Sequence, residues 1–220
     1  MKTQMPVVVI GGGGHGRVLC DAARLQGSFD IRMIVDAQAN LRGKQLDGVQ
    51  IVGGDEELPR ILREGVRHAV MGIGSVANNS QRAAIFARVK ALGFEFVNVV
   101  HLSAVVSGSA RIGEGTVVLA GAIVGPGTTL GTNVIINTRA AVDHDCSIGD
   151  HVHIAPGAVL SGGVAVGELA YIGAGATLKQ GSRIGRGSLV GLGAAVIRDV
   201  PDGTAVVGVP ARPLVRLASK

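Results

Sequence analysis

The chain of 220 residues is predicted to be a small α/β domain (residues 1–99) running into a parallel β-helix (100–200), with a cap segment at 201–220. Three observations carry this. Short β-branched runs alternate with helical segments through the first half. From Val100 onward the apolar period becomes six. Finally, 47% of residues are hydrophobic but only 2% aromatic, so the core must be built from Val, Ile, Leu and Ala.

The first half reads as follows. Val7 to Ile10 is a strand that runs into glycines, and Val18 to Leu25 has helical spacing. Ile31 to Val35 is a second strand ending at Asp36, Gln50 to Val52 a short third, and Glu56 to Arg63 a helix. His68 to Ile73 is a buried strand, Gln81 to Leu92 a helix, and Phe94 to Val99 ends the series. Such alternation implies a small parallel sheet with helices on its faces.

In the second half every sixth residue from Val100 to Val196 is Ile, Val or Leu. Four positions after each aliphatic stands a small or β-branched residue, from Thr116 and Ala122 through Cys146 to Ala194. A hexapeptide period is the signature of a parallel β-helix, in which each hexad gives one short strand and one corner. Three hexads then close a triangular coil, with the large aliphatic filling the interior. Glycine often follows that aliphatic, as at Gly113, Gly125, Gly149 and Gly185, and is expected to allow the backbone angles the corner demands. The repeat breaks at Asp202, after Pro201, and the tail is expected to cap the solenoid.

Composition excludes several classes. Lys+Arg 21 against Asp+Glu 16 gives a charge of +5, but it is spread thinly and almost no rings are present to stack bases, so no nucleic-acid partner is expected. Two cysteines cannot make a disulfide scaffold or a four-thiolate zinc site, which suits a reduced, cytoplasmic protein. No apolar run reaches about 18 residues, so no membrane insertion is expected.

Two segments carry chemistry. Gly11, Gly13 and Gly16 fit G-x-G-x-x-G between a strand and a helix, and Asp36 follows Gly16 by twenty residues at a strand end. The glycines let backbone N–H groups approach a diphosphate, and Asp36 can accept from a ribose or base. NAD and a nucleotide-diphosphate sugar share those needs, although an α/β half of about a hundred residues is short for two mononucleotide-binding halves. The second segment, Val142 to His153, holds three of the six histidines. The hexad frame turns Val142 and Cys146 inward and leaves His144, Asp145, His151 and His153 off the inward positions. Cys146 therefore reads as packing. An outward histidine beside a carboxylate is either a solvated pair or a general base. Metal binding by His144, His151 and His153 lacks the usual zinc spacing, and no metal is expected.

The repeat, the loop from Ile10 to Arg17, and the late run Gly208-Val209-Pro210-Ala211-Arg212 together resemble the nucleotide-sugar N-acetyltransferases of the PglD and NeuD type, almost end to end. The resemblance implies a left-handed β-helix, an exception to the usual crossover hand. It also implies a Rossmann-like domain holding the nucleotide-sugar, and a homotrimer binding acetyl-CoA between subunits. The implied reaction is acetyl transfer to the amine of a UDP-, GDP- or dTDP-linked amino sugar, in bacterial surface glycan synthesis. It assigns Gly13, Gly14, His15, Asp36 and Gly74 to the sugar-nucleotide. His144 falls on the catalytic base and Asp145 on its orienting acid. His153 falls on an acetyl-CoA contact, and Ala174 and Leu192 on positions whose backbones meet the pantetheine arm. Two departures stand out. Asp145 replaces a glutamate, and Ala37 follows Asp36 where two acids are usual, which leaves the base preference open. Neighbouring readings are O-acetylation of a sialic-acid-like sugar and a non-catalytic scaffold or sugar-nucleotide sensor.

Overall fold

Val7, Val8 and Val9 alternate in direction along a strand, yet all three are buried. Their strand, β1 (Met5–Ile10), therefore lies at the centre of a covered sheet. The structure is a computed structural model that describes residues 4–214. Around β1 it arranges β2 (Phe29–Val35), β3 (Gln45–Leu46), β4 (Val49–Gly53), β5 (His68–Met71) and β6 (Glu95–Phe96) in the order β3-β4-β2-β1-β5-β6. All neighbours are parallel except the β3–β4 hairpin, which is too short to leave a pattern in the sequence.

Among the described residues three α-helices cover the sheet: α1 (Gly14–Gln26), α2 (Leu58–Arg63) and α3 (Ser80–Ala91). Leu58, Ile61, Phe86 and Val89 from α2 and α3 bury one side with Val8, Ile10 and Met71. On the other side Leu19, Cys20 and Ala23 of α1 meet Val7, Val9 and Val70, and also the outward-facing Val99, Val117 and Ile135 of the β-helix. One helix thus serves two domains. The apolar run ending at Val99 divides accordingly: β6 completes the α/β sheet, whereas Val99–Val100 pairs with Val117–Val118 as the first rung.

The β-helix repeats every 18 residues. Ile135 pairs with His153, which pairs with Tyr171, which pairs with Leu189, all parallel. Three flat faces result. The first carries Val117–Val118, Ile135–Ile136, His153–Ile154 and Tyr171–Ile172; the second Ile123–Val124, Ala141–Val142 and Val159–Leu160; the third Thr129–Leu130, Ser147–Ile148 and Ala165–Val166. The interior is the expected aliphatic column, from Val118 to Val206, with Ala122, Ala140, Cys146 and Ala158 filling the corners.

Glycine works differently from expectation. Those directly after the aliphatic, such as Gly113 and Gly125, do not hold a left-handed φ. A Cβ at Gly113 would strike the Gly131 backbone, and one at Gly125 would come within 2.7 Å of the His144 nitrogen. They are glycine because successive rungs touch there. The left-handed position lies two residues later, at every sixth residue from Gly115 to Gly193, with Asn133, Arg139, Asp145, His151 and Leu169 standing there in place of glycine.

Beyond the expected end of the repeat, Ala205–Val207 adds a parallel strand beside Leu189–Val190, and Arg212–Pro213 closes that edge antiparallel. Residues 215–220 of the cap segment lie outside the described residues. Among the described residues no helix is long and apolar enough to cross a membrane.

Candidate active site

The glycine loop divides by task. A Cβ at Gly16 would collide with the Gly11 carbonyl, and one at Gly11 would come within 2.7 Å of Ile73, so these two let β1, α1 and the β5 loop close. Gly13 and Gly14 have open space and face a cavity of about 320 Å³ at the N-terminus of α1. His15, Asp36, Gln38, Asp55, Gly74 and Arg88 also line it. Helix N-terminal amides beside such a space suit a diphosphate. Asp36 already accepts from Gly12 N–H at 2.7 Å and Gln38 N–H at 2.8 Å, so it shapes the loop as well as facing the cavity. Gly74 is packed on the His15 side chain, where an added Cβ would come within 3.2 Å and press on it.

A second cleft lies between the domains, lined by Gly14, His15, Gly74, Ser75, Asn137, His153, Pro156 and Tyr171. His153 is an outward residue of the first face, as expected, yet the α/β domain covers it to 5% exposure. Its Nδ1 is 3.0 Å from Ser75 Oγ and its Nε2 is 3.0 Å from Asn137 Nδ2. Burial, and then the Arg82 and His15 charges, hold its pKa down to about 3. His15 is likewise held down to about 4 by burial and then by Arg82, and its buried Nε2 has no partner among the described residues. Arg82 is itself buried, donating to Asn133 Oδ1 at 2.8 Å and to the His151 carbonyl at 2.7 Å.

His144 lies elsewhere, on the edge between the second and third faces. It is half exposed, and its Nδ1 is 2.8 Å from Asp145 Oδ2. That hydrogen bond, and then the Asp143 charge, raise its pKa. Asp145 is in the left-handed position, φ +57°, which an aspartate tolerates better than most residues. With Nδ1 held by the acid, Nε2 is left to take a proton. Ala174 and Leu192 lie on the opposite edge of the second face, on adjacent rungs, half-buried and exposed respectively. His144, His151 and His153 form no metal set: their side chains have separate partners in Asp145, Asn133 and Ser75.

Comparison with known proteins gives consistent relatives. Residues 6–89 match the PglD N-terminal domain family, and residues 145–180 match the bacterial transferase hexapeptide (six repeats). GDP-perosamine N-acetyltransferase from Caulobacter crescentus, solved as a histidine-to-alanine variant in complex with CoA and GDP-perosamine, is 39% identical, covers 98% of both chains and superposes with a TM-score of 0.90. The chain belongs to the nucleotide-sugar N-acetyltransferases of the hexapeptide-repeat superfamily. The acetyltransferase domain of PglB from Neisseria gonorrhoeae is also 39% identical, over 96% of this chain and 100% of that one, with a TM-score of 0.88. The UDP-N-acetylbacillosamine N-acetyltransferase of Bacillus subtilis is 37% identical over 124 residues, a match spanning about half its length, 51%.

Several residues of this acetyltransferase carried no signal in the sequence. Ser75, Asn79, Arg82 and Asn137 matter only because two domains meet at them. Gly162 is another: a Cβ there would overlap the His144 ring at Nε2. Gly162→Ala is expected to displace that imidazole and cut kcat by about tenfold or more while leaving the melting temperature nearly unchanged, since the ring is the exposed partner that moves. Steady-state kinetics beside thermal unfolding checks this.

Proposed function

We propose that the chain transfers acetyl from acetyl-CoA to the amine of a nucleoside-diphosphate-linked amino sugar, in a site shared by two copies of a homotrimer. The glycine-loop cavity takes the nucleotide, with Gly13, Gly14, His15, Asp36 and Gly74 around it. The edge bearing Ala174 and Leu192 takes the pantetheine arm. At Gly175 and Gly193 on that edge, an added Cβ would meet nothing within 4 Å, which leaves room for an extended chain. The free amine attacks the thioester carbonyl, and His144 Nε2 takes the proton lost from nitrogen. The tetrahedral intermediate then expels the CoA thiolate, and Asp145 stabilises the imidazolium.

The carrying observation is that His144 and the Ala174–Leu192 edge lie on opposite edges of the second face of one chain. The second face between those edges exposes Val105, Ile123 and Val159 in one stripe. Packing three second faces about an axis covers the stripe and brings His144 of one copy beside the Ala174 edge of the next. Two relatives are named for GDP-perosamine and UDP-N-acetylbacillosamine, both nucleoside-diphosphate amino sugars with different carriers. A cytoplasmic location, where acetyl-CoA and sugar-nucleotides are available, fits this reading. The test is thiol release from acetyl-CoA against UDP-, GDP- and dTDP-linked amino sugars, with the assembly mass measured by light scattering. Release with at least one amine and a three-chain mass are expected; an intact trimer silent with every amine overturns the proposal.

A further inference from the structure

A directed chain of hydrogen bonds crosses the domain junction at His153, and backbone groups set its polarity at both ends. Asn79, buried at the start of α3, donates from Nδ2 to the Leu169 carbonyl at 3.1 Å and the Ala170 carbonyl at 2.8 Å. Carbonyls only accept, so Asn79 Oδ1 is the atom left to face Ser75, whose hydroxyl donates to it. Having committed its proton there, Ser75 Oγ is an acceptor toward His153 Nδ1. At the far end Thr138 N–H donates to Asn137 Oδ1 at 2.8 Å, which turns Asn137 Nδ2 toward His153 Nε2. A donor at that point requires a lone pair on Nε2. Two amides, oriented independently, demand the same tautomer.

We infer that Ser75, Asn79 and Asn137 are positioning residues that lock His153 as the neutral tautomer protonated on Nδ1, so that Nε2, at the interdomain cleft, is a hydrogen-bond acceptor. The charged and titratable groups around the ring are Arg82 from α3, His15 from α1 and Tyr171 from the next rung, its ring edge-on at 5.2 Å. None of them favours an imidazolium. Nε2 has a single lone pair, which Asn137 occupies here, so a ligand contact made by Nε2 is with a donor that takes the place of the Asn137 amide, such as an amine or amide N–H, rather than with a carbonyl oxygen. That last consequence rests on the proposed acetyl transfer; the tautomer does not.

The test is long-range proton–nitrogen correlation on the full-length chain carrying isotope-labelled histidine, with His153 assigned by loss of its signals in His153→Gln. The expected pattern is a protonated Nδ1 and a lone-pair Nε2, unchanged between about pH 8 and about pH 5. In the double variant Ser75→Ala, Asn137→Ala, which removes both the acceptor at Nδ1 and the donor at Nε2, the pattern moves toward a mixture of tautomers, and kcat/KM falls about tenfold. Returning the hydroxyl to that background, as Ser75 or as Ser75→Thr with Asn137→Ala, restores the Nδ1–H pattern. The other histidine signals report whether each variant is folded. A wild-type ring protonated on Nε2 or titrating near its ordinary value overturns the inference, as does a folded double variant that keeps Nδ1–H. If the tautomer pattern holds but no amino sugar releases thiol, the acetyl-transfer reading fails and the relay stands; thiol release with the wrong tautomer has the opposite meaning.

Discussion

His144→Ala is expected to lower kcat by about 10²–10⁴-fold while leaving acetyl-CoA binding within about twofold. The ring is half exposed on an edge, packs no core, and has one strong partner, Asp145. Its removal therefore costs the proton acceptor and little stability. The pH profile carries a second expectation. A base works deprotonated, so kcat/KM rises with pH through the His144 pKa. Because the Asp145 hydrogen bond and then the Asp143 charge raise that pKa, the acid limb lies above the ordinary histidine value. Asp145→Asn removes the first cause, so the limb moves to lower pH, and the plateau drops because the ring is less well held. A scaffold or sensor reading predicts no change in either variant. An acid limb that stays put in Asp145→Asn would remove Asp145 from the role given to it.

How much of the molecule was legible in the sequence depends on whether one chain segment or two were involved. The hexad period is set by a single coil, so it placed Val118, Val142 and Ile154 inside and turned His144 outward, as the structure does. The task of each glycine was not legible, because spacing alone cannot separate a residue chosen for φ from one chosen for lack of a Cβ; Gly113 is the latter and Gly175 the former. The left-handed corner register also explains Asp145 and His151, which occupy positions glycine fills elsewhere. His153 marks the limit. An outward side chain looks the same in a hexad whether it meets water or another domain, and here it meets Ser75 from a loop 78 residues away. Arg82 is similar: beside the alanines of α3 it looks like a solvated charge, yet it is among the largest fully buried side chains.

Acidification from about pH 7 to about pH 5 is expected to cost the chain on the order of 4 kcal/mol of stability, and the interdomain cleft is where the loss arises. His15 and His153 are both neutral in the folded chain, with pKa values of about 4 and about 3. Unfolded, each takes a proton near about 6.5. Their folded values are depressed, so neither penalises folding above the unfolded value; as pH falls below it, the unfolded chain binds protons that the folded chain refuses. The loss continues until the folded pKa values are passed. At about pH 5 each ring has cost on the order of 2 kcal/mol. His144 works the other way, its pKa being raised, but it is solvent-exposed and adds little. Glu56 and Glu114 have lowered pKa values and contribute mainly below the ordinary carboxylate range, outside this window. The melting temperature at fixed protein concentration should thus fall by roughly 8–16 °C across the window. In His153→Gln the slope, whatever the starting stability, should be clearly shallower, because one of the protons refused on folding is gone; His15, and His151, whose pKa is also lowered by burial and then by the Arg82 charge, keep the rest. A flat profile, or equal slopes in the two chains, would mean that these rings are not held neutral between the domains.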